Sequence, residues 1–203
     1  MDRASIIICV TKKPIGRILV SDNSLNLEEC RSLIGLYDRY TKSTCRRDYN
    51  DQPLLDYSTL RRVAKESASW VYAVTFRCKE KIALYFSTPG LFVESFFIAC
   101  LFSGDSHIAH ADNERKEDER WVPNHTPQRD YTGIAYLNDD FMGGDLVFPE
   151  LNVVITPKPG LVVGSLVIAF VHKVPKVFSG NRYFLPVSFT LNSAKAMQGS
   201  LPQ

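Results

Sequence analysis

Two histidines and one aspartate in this chain have the residue types and the spacing of a metal-binding site. His110 and Asp112 are two residues apart, so an extended backbone places both side chains on one face of a strand. His172, far along the chain, offers a second imidazole. Two imidazoles and one carboxylate leave coordination positions open, and this ligand set favours non-haem Fe(II) over a closed four-ligand zinc site.

Each of these residues also has an ordinary interpretation. His-x-Asp occurs in polar surface loops, and His172, next to a lysine in an apolar stretch, is compatible with a hydrogen-bonded core histidine. The other two histidines are interpreted as structural or substrate-rim residues. His107 is out of phase with His110, and His125 lies in a proline-flanked loop. The metal assignment therefore depends on the rest of the chain.

Composition limits the class of protein. The 203 residues, 45% of them hydrophobic, suit one globular domain with a sizeable core. The net charge of +2 indicates no particular partner, and the basic clusters Arg46–Arg47 and Arg61–Lys65 are too short to predict nucleic-acid binding. Five scattered cysteines without a Cys-x-x-Cys pair argue against a disulfide framework and a cysteine zinc site.

Hydrophobic periodicity divides the chain into a mixed first part and a β-rich second part. Residues 1–86 are predicted to hold strands at Ile6–Val10 and Gly16–Val20 and helices at Asn26–Tyr40 and Ser58–Phe86. Residues 87–192 alternate short strands with turns and predict a jelly roll, and residues 193–203 form a tail. The predicted fold is therefore mainly β with flanking helices around a double-stranded β-helix (jelly roll) core. The predicted strands are Leu91–Leu101, Ser106–Asp112, Tyr131–Asn138, Gly144–Phe148, Val153–Thr156, Leu161–Phe170, Val171–Val177 and Tyr183–Leu191.

Two further segments bear on location and on the site. The longest apolar run, Leu91–Phe102, is too short to span a bilayer, and the apolar stretch Ser5–Val10 is too short for a secretory signal. We therefore expect a cytoplasmic protein with no membrane partner. The nearly continuous charges of Glu114–Arg120 predict a solvated loop after the metal strand.

A series of motifs follows one another in the second part of the chain. The motifs lie at His110–Asn113, Arg129–Asn138, Gly143–Pro149, Pro157–Gly160, His172–Val177 and Gly180–Tyr183. In order and in spacing, with Arg182 ten positions after His172, the series resembles the Fe(II)- and 2-oxoglutarate-dependent oxygenases, specifically their prolyl-hydroxylase branch. A lone His-x-Asp would be weak evidence, whereas the complete series is specific and covers Ser106–Thr190.

The resemblance implies a role for each matched residue. His110, Asp112 and His172 would bind Fe(II), and the cosubstrate 2-oxoglutarate would chelate the iron through its keto-acid end. Its distal carboxylate would pair with the planar guanidinium of Arg182 and with the hydroxyl of Tyr136. The implied reaction consumes O2, converts 2-oxoglutarate to succinate and CO2, and hydroxylates a peptidyl amino acid, with proline the first choice. Ascorbate is a further cofactor that the resemblance allows.

The chain departs from the family at two places, and these leave alternatives open. The segment Val163–Val171 before the distal histidine is almost wholly apolar where relatives carry a polar turn, and Ser188 stands where they often have tryptophan. A one-residue slip of that strand would turn His172 away from the site. The alternatives are a catalytically degenerate jelly-roll binding module, a small-molecule hydroxylase and, less favoured, a zinc hydrolase. The sequence does not determine the oligomeric state.

Overall fold

The computed structural model describes residues 18–44, 46–47, 52–118, 120–167 and 170–197. Three α-helices lie within these ranges: α1 at Leu27–Thr44, α2 at Tyr57–Val63 and α3 at Lys65–Tyr85. The strands are β1 (Ile18–Ser21), β2 (Arg46–Arg47), β3 (Pro53–Asp56), β4 (Phe92–Leu101), β5 (His107–His110), β6 (Glu114–Glu117), β7 (Arg120–Pro123), β8 (Tyr131–Tyr136), β9 (Met142–Gly143), β10 (Leu146–Phe148), β11 (Val153–Ile155), β12 (Val162–Leu166), β13 (His172–Val174), β14 (Val177–Ser179) and β15 (Arg182–Thr190).

Two antiparallel sheets form the double-stranded β-helix. The major sheet has the strand order β1-β12-β8-β15-β4-β3-β2, and the minor sheet has the order β11-β10-β13-β5. Side chains of the two sheets meet in one apolar cluster, in which Tyr136 and Phe184 of the major sheet join Phe148 and Val174 of the minor sheet. Two short ribbons, β9–β14 and β6–β7, extend this core.

The helices cover the opposite face of the major sheet. Alternate residues of β4, β8 and β15 point to this face and pack with Leu33 of α1 and Val74 and Ile82 of α3. Helix α3 comes closest to the major sheet at two glycines. A Cβ on Gly133 or Gly164 would lie 2.7 or 2.8 Å, respectively, from the Ile82 side chain. Glycine at these positions therefore lets α3 sit directly on the sheet.

The side chain of Asn26 caps the start of α1. Asn26 Oδ1 accepts a hydrogen bond from the Glu29 backbone amide at 2.9 Å, and the Glu29 carboxylate accepts one from the Asn26 backbone amide at 2.9 Å. This reciprocal pair is a capping box, and Glu28 and Glu29 also suit the positive end of the helix dipole.

The structure differs from the predicted elements at several places, among them an unpredicted strand β3 and the division of the predicted strand Val171–Val177 between β13 and β14. The predicted helix Ser58–Phe86 is two helices separated at Ala64, whose φ of −153° is extended. The first helix continues to Thr44 rather than ending at Tyr40. The charged segment after the metal strand is an antiparallel β6–β7 hairpin and not a loop.

The remaining expectations concern the cysteines, the N-terminal strand, the domain boundary and membrane spans. Cys30, Cys78 and Cys100 are buried and free, as small core residues. The predicted strand Ile6–Val10 lies outside the described residues. The boundary proposed at residues 86 and 87 falls in the turn between α3 and β4. Within the described ranges, every helix is too short or too polar to cross a membrane.

Candidate metal and cosubstrate site

The two candidate imidazoles are brought together by pairing between β5 and β13. These strands are antiparallel neighbours, and His172 is the direct Cα partner of His110. The two ring centroids lie 4.5 Å apart. The slipped register that the apolar segment allowed, in which His172 would point away from His110, is therefore not the one adopted.

Asp112 completes the group from the bend that follows β5. Its Oδ1 atom lies 3.8 Å from Nε2 of His110 and 4.0 Å from Nε2 of His172. All three ligand atoms lie within 4.8 Å of one another, so one ion can contact them all. Elsewhere in the described part of the chain, no other cluster of three or more His, Cys, Asp or Glu side chains has this geometry.

Backbone carbonyls orient both imidazoles. Nδ1 of His110 lies 2.8 Å from the Ile108 carbonyl oxygen, and Nδ1 of His172 lies 3.3 Å from that of Phe170. Because a carbonyl oxygen only accepts hydrogen bonds, Nδ1 carries the hydrogen in each ring. The Nε2 lone pairs are therefore left for a metal, in the arrangement that fixes the tautomer of metal-binding histidines.

The charge states of the ligands suit a cation. Burial acts to raise the pKa of the Asp112 carboxyl, but His172 and His110 beside it bring the net pKa below its ordinary value. The nearby Arg129 and a hydrogen bond from Thr132 act in the same direction. Burial lowers the pKa of His172, against the opposing effect of Asp112, so this imidazole favours its neutral form. An anionic carboxylate and a neutral imidazole are the forms that bind a metal.

Deeper in the barrel, Arg182 and Tyr136 present polar atoms that lack an ordinary hydrogen bond, although the two side chains act on each other and the charge of Asp145 acts on both. Both side chains are fully buried, at 1% and 0% exposure. Among the described residues, Arg182 Nε and Nη2 and Tyr136 Oη make no hydrogen bond to protein. No carboxylate of the described part of the chain lies within ion-pair distance of Arg182. Burial lowers the pKa of Arg182 and raises that of Tyr136 to about 12.

Such unpaired groups point to an anionic ligand. A buried guanidinium without a direct ion-pair partner is costly, and proteins tolerate one where a bound anion pairs with it. The Arg182 guanidinium carbon lies 5.0 Å from the ring centroid of Tyr136 and 4.8 Å from that of Phe184. These rings hold the stem and the plane of the guanidinium in place. The donors present therefore fit the distal carboxylate of 2-oxoglutarate.

A glycine permits this placement of Arg182. Gly144 has φ +68°, and a Cβ there would lie 3.0 Å from Cδ of Arg182 and 3.0 Å from Cγ2 of Val177. A side chain at this position would press on the arginine stem and would be strained in the left-handed region.

A bulge in β5 accounts for the position of His107. The pairing of β5 with β13 shifts between His172 and Val174, whose partners are His110 and His107. The shift brings the His107 ring to 6.1 Å from that of His110, although their odd spacing predicts opposite faces. His107 does not join the ligand group, and His125 is exposed.

Sequence reasoning missed a polar network beside Asp112. Arg129 Nε donates to Glu94 Oε2 at 3.1 Å, and Gln128 also bonds to Glu94. Glu94 lies where the pairing of β4 with β15 shifts register, so a bulge turns its carboxylate toward Arg129. The positive charge of Arg129 in turn helps to lower the pKa of Asp112. The bulge has no composition signal that would have revealed this contact.

Comparison with known proteins places this geometry in context. No family model matches the chain. Prolyl 3-hydroxylase 2 of Rattus norvegicus is 28% identical over an alignment of 210 positions, covering 87% of this chain and 30% of the relative. The chain thus spans less than a third of the length of this curated relative.

Solved structures show the same fold. A Pseudomonas putida prolyl-4-hydroxylase matches with a TM-score of 0.62 and 18% identity, covering 85% of this chain and 91% of that one. The viral collagen prolyl hydroxylase of Paramecium bursaria Chlorella virus-1, in its 2-oxoglutarate complex, matches with a TM-score of 0.60 and 17% identity, covering 85% and 95%. The chain therefore has the double-stranded β-helix fold and the His–Asp–His triad of the 2-oxoglutarate- and Fe(II)-dependent oxygenases, and it is similar to their prolyl hydroxylases.

Proposed function

We propose that this protein is an Fe(II)- and 2-oxoglutarate-dependent oxygenase that hydroxylates a peptidyl proline. The observation that carries the proposal is the convergence of His110, Asp112 and His172 on one point. The unpaired Arg182 in the same barrel adds a site for the cosubstrate carboxylate. A degenerate binding module has no need of a converging triad together with a buried, unpaired arginine.

The residues of the chain have separate tasks in this reaction. His110, Asp112 and His172 would hold the metal through two imidazoles and one carboxylate. Arg182 and Tyr136 would bind the distal carboxylate of 2-oxoglutarate. When bound, Fe(II) and 2-oxoglutarate supply the oxidising chemistry, in which one atom of O2 enters a substrate C–H bond and the other enters succinate, with release of CO2.

The barrel also excludes water. Tyr136, Phe148, Val174 and Phe184 are buried between the two sheets. An apolar wall of this kind strengthens the charge pairing of Arg182 and protects the oxidising chemistry from side reactions.

Proline in a peptide is the proposed substrate because the similarity by sequence is to prolyl 3-hydroxylases and that by structure is to prolyl hydroxylases. A cytoplasmic location and a role for ascorbate are parts of the same proposal. A small-molecule hydroxylase is the alternative, since fold sets reaction type more firmly than substrate.

Peptide hydroxylation tests the substrate. Proline-containing peptides, incubated with Fe(II)-loaded protein, 2-oxoglutarate and air, are expected to gain the mass of one oxygen atom on a proline. Matched peptides with alanine in place of each proline are the control. Uptake of oxygen by free proline with none by any peptide would favour the small-molecule alternative and contradict the peptide proposal.

A further inference from the structure

The backbone at Asp112 is held by side chains from another segment. Asp112 lies outside β5, in a bend, so strand pairing does not fix its carbonyl. That carbonyl instead accepts hydrogen bonds from Nδ2 of Asn124 at 3.1 Å and from the Thr126 hydroxyl at 3.0 Å. The next carbonyl, of Asn113, accepts one from the Asn124 backbone amide at 3.0 Å. Two successive peptide groups at the metal ligand are therefore tied to residues 124–126.

Asn124 and Thr126 also orient each other. The Thr126 backbone amide donates to Oδ1 of Asn124 at 2.7 Å, and the Thr126 hydroxyl lies 2.9 Å from the same oxygen. A hydroxyl has one hydrogen, so Thr126 shares it between Oδ1 of Asn124 and the Asp112 carbonyl, both within hydrogen-bond distance. The amide group of Asn124 is turned so that Nδ2 faces the Asp112 carbonyl at 3.1 Å and, less closely, the Glu114 carbonyl at 3.5 Å.

These contacts close the base of the β6–β7 hairpin. Strand β6 begins directly after Asn113, and β7 ends directly before Asn124. The two strands pair with each other, while the side chains of Arg115, Lys116 and Trp121 are exposed. A shift of the hairpin would thus move the peptide group of Asp112, and a shift of Asp112 would move the hairpin.

We propose that Asn124 and Thr126 are positioning residues that hold Asp112 in its metal-binding geometry and couple the β6–β7 hairpin to the metal site. This inference rests on the proposed Fe(II) site. Partners that orient a metal ligand from outside the coordination sphere contribute about 10- to 100-fold to metal affinity. By reciprocity, metal binding stabilises the hairpin by the same coupling free energy.

Metal titration of paired variants tests the first half of the proposal. Mn(II), which replaces Fe(II) without oxidation in air, is titrated calorimetrically into the full chain. Thr126→Val removes the hydroxyl at nearly constant shape, and Asn124→Asp removes the Nδ2 donor but keeps the oxygen that accepts from Thr126. Each change is expected to weaken Mn(II) binding by about tenfold. Thr126→Ser keeps the hydroxyl and is expected to retain the affinity of the unmodified protein.

Hydrogen exchange of the β6 and β7 amides tests the coupling. Mn(II) is expected to slow this exchange in the unmodified protein and in Thr126→Ser, and to have little effect in Thr126→Val and Asn124→Asp. If Thr126→Val and Asn124→Asp both bind Mn(II) with unchanged affinity but show faster hydrogen exchange in the hairpin, the two residues have a purely structural role. That result would overturn the inference while the proposed function stands. Failure of the unmodified protein to bind Mn(II) would overturn both.

Discussion

Replacing Arg182 by methionine is expected to weaken the binding of 2-oxoglutarate strongly without destabilising the protein. The guanidinium is buried, has unpaired Nε and Nη2 atoms, and lies within an apolar barrel. Loss of one partner from a buried, hydrogen-bonded charge pair costs about 2–5 kcal/mol. The apparent affinity for 2-oxoglutarate should therefore fall by about 30-fold or more, as measured by the KM for succinate production and by calorimetry on Mn(II)-loaded protein.

The stability of the same variant distinguishes a ligand-binding arginine from a structural one. Without 2-oxoglutarate, the Arg182 charge is buried and has no ion-pair partner among the described residues. Exchange for an apolar side chain of similar length should leave the free energy of unfolding unchanged or raise it by up to about 4 kcal/mol. Arg39→Met, on the exposed face of α1, is the matched control. It should leave the KM for 2-oxoglutarate and the free energy of unfolding unchanged. An unaltered KM in Arg182→Met would contradict the cosubstrate assignment.

Replacing His172 by alanine is expected to remove metal binding. His172 is one of three ligands, and its Nδ1 bond to the Phe170 carbonyl aims Nε2 at Asp112. Removing a residue that only orients a metal ligand lowers metal affinity by about 10- to 100-fold. Removing the ligand itself should cost more, so we expect Mn(II) affinity to fall by more than about 100-fold. Calorimetric titration measures the change, and circular dichroism confirms that the variant is folded.

His125→Ala is the matched control for this variant, because His125 is exposed and lies outside the triad. It should bind Mn(II) as the unmodified protein does. Equal losses in His125→Ala and His172→Ala, or none in either, would exclude the triad as the metal site.

The elements that the sequence predicted well carry strong local signals. Asn26 followed by Glu29 predicts a capped helix start, and the capping box is present. Strand β4 was predicted within one residue because its apolar run is bounded by a Thr-Pro-Gly turn. The break at Ala64 had no such signal, since alanine is the strongest helix former.

The β6–β7 hairpin was missed for a different reason. Strand β6 holds two glutamates and a lysine, residue types that are depleted in β-structure, so propensity favoured a loop. The pairing is nevertheless regular, with Lys116 opposite Trp121 and Glu114 opposite Pro123. Contacts at its base, from Asn124 and Thr126 to Asp112, are tertiary and have no sequence motif.

The register at His172 also required tertiary information. Its own segment is too apolar to indicate a face, and alternation within it leaves two registers open. The structure fixes the register from both sides, because β13 pairs with β5 at His110 and with β10 through Lys173 and Val147. The motif order predicted the identity of the ligand, and the neighbouring strands supply its orientation.

Succinate production tests the central claim most directly. The protein is loaded with Fe(II) and 2-oxoglutarate without oxygen and is then exposed to air, and succinate is measured with and without iron. We predict iron-dependent succinate, at least slowly, even without a peptide, and its loss in His110→Ala. No iron-dependent succinate, or production unchanged in His110→Ala, would contradict the assignment of this chain as a 2-oxoglutarate-dependent oxygenase.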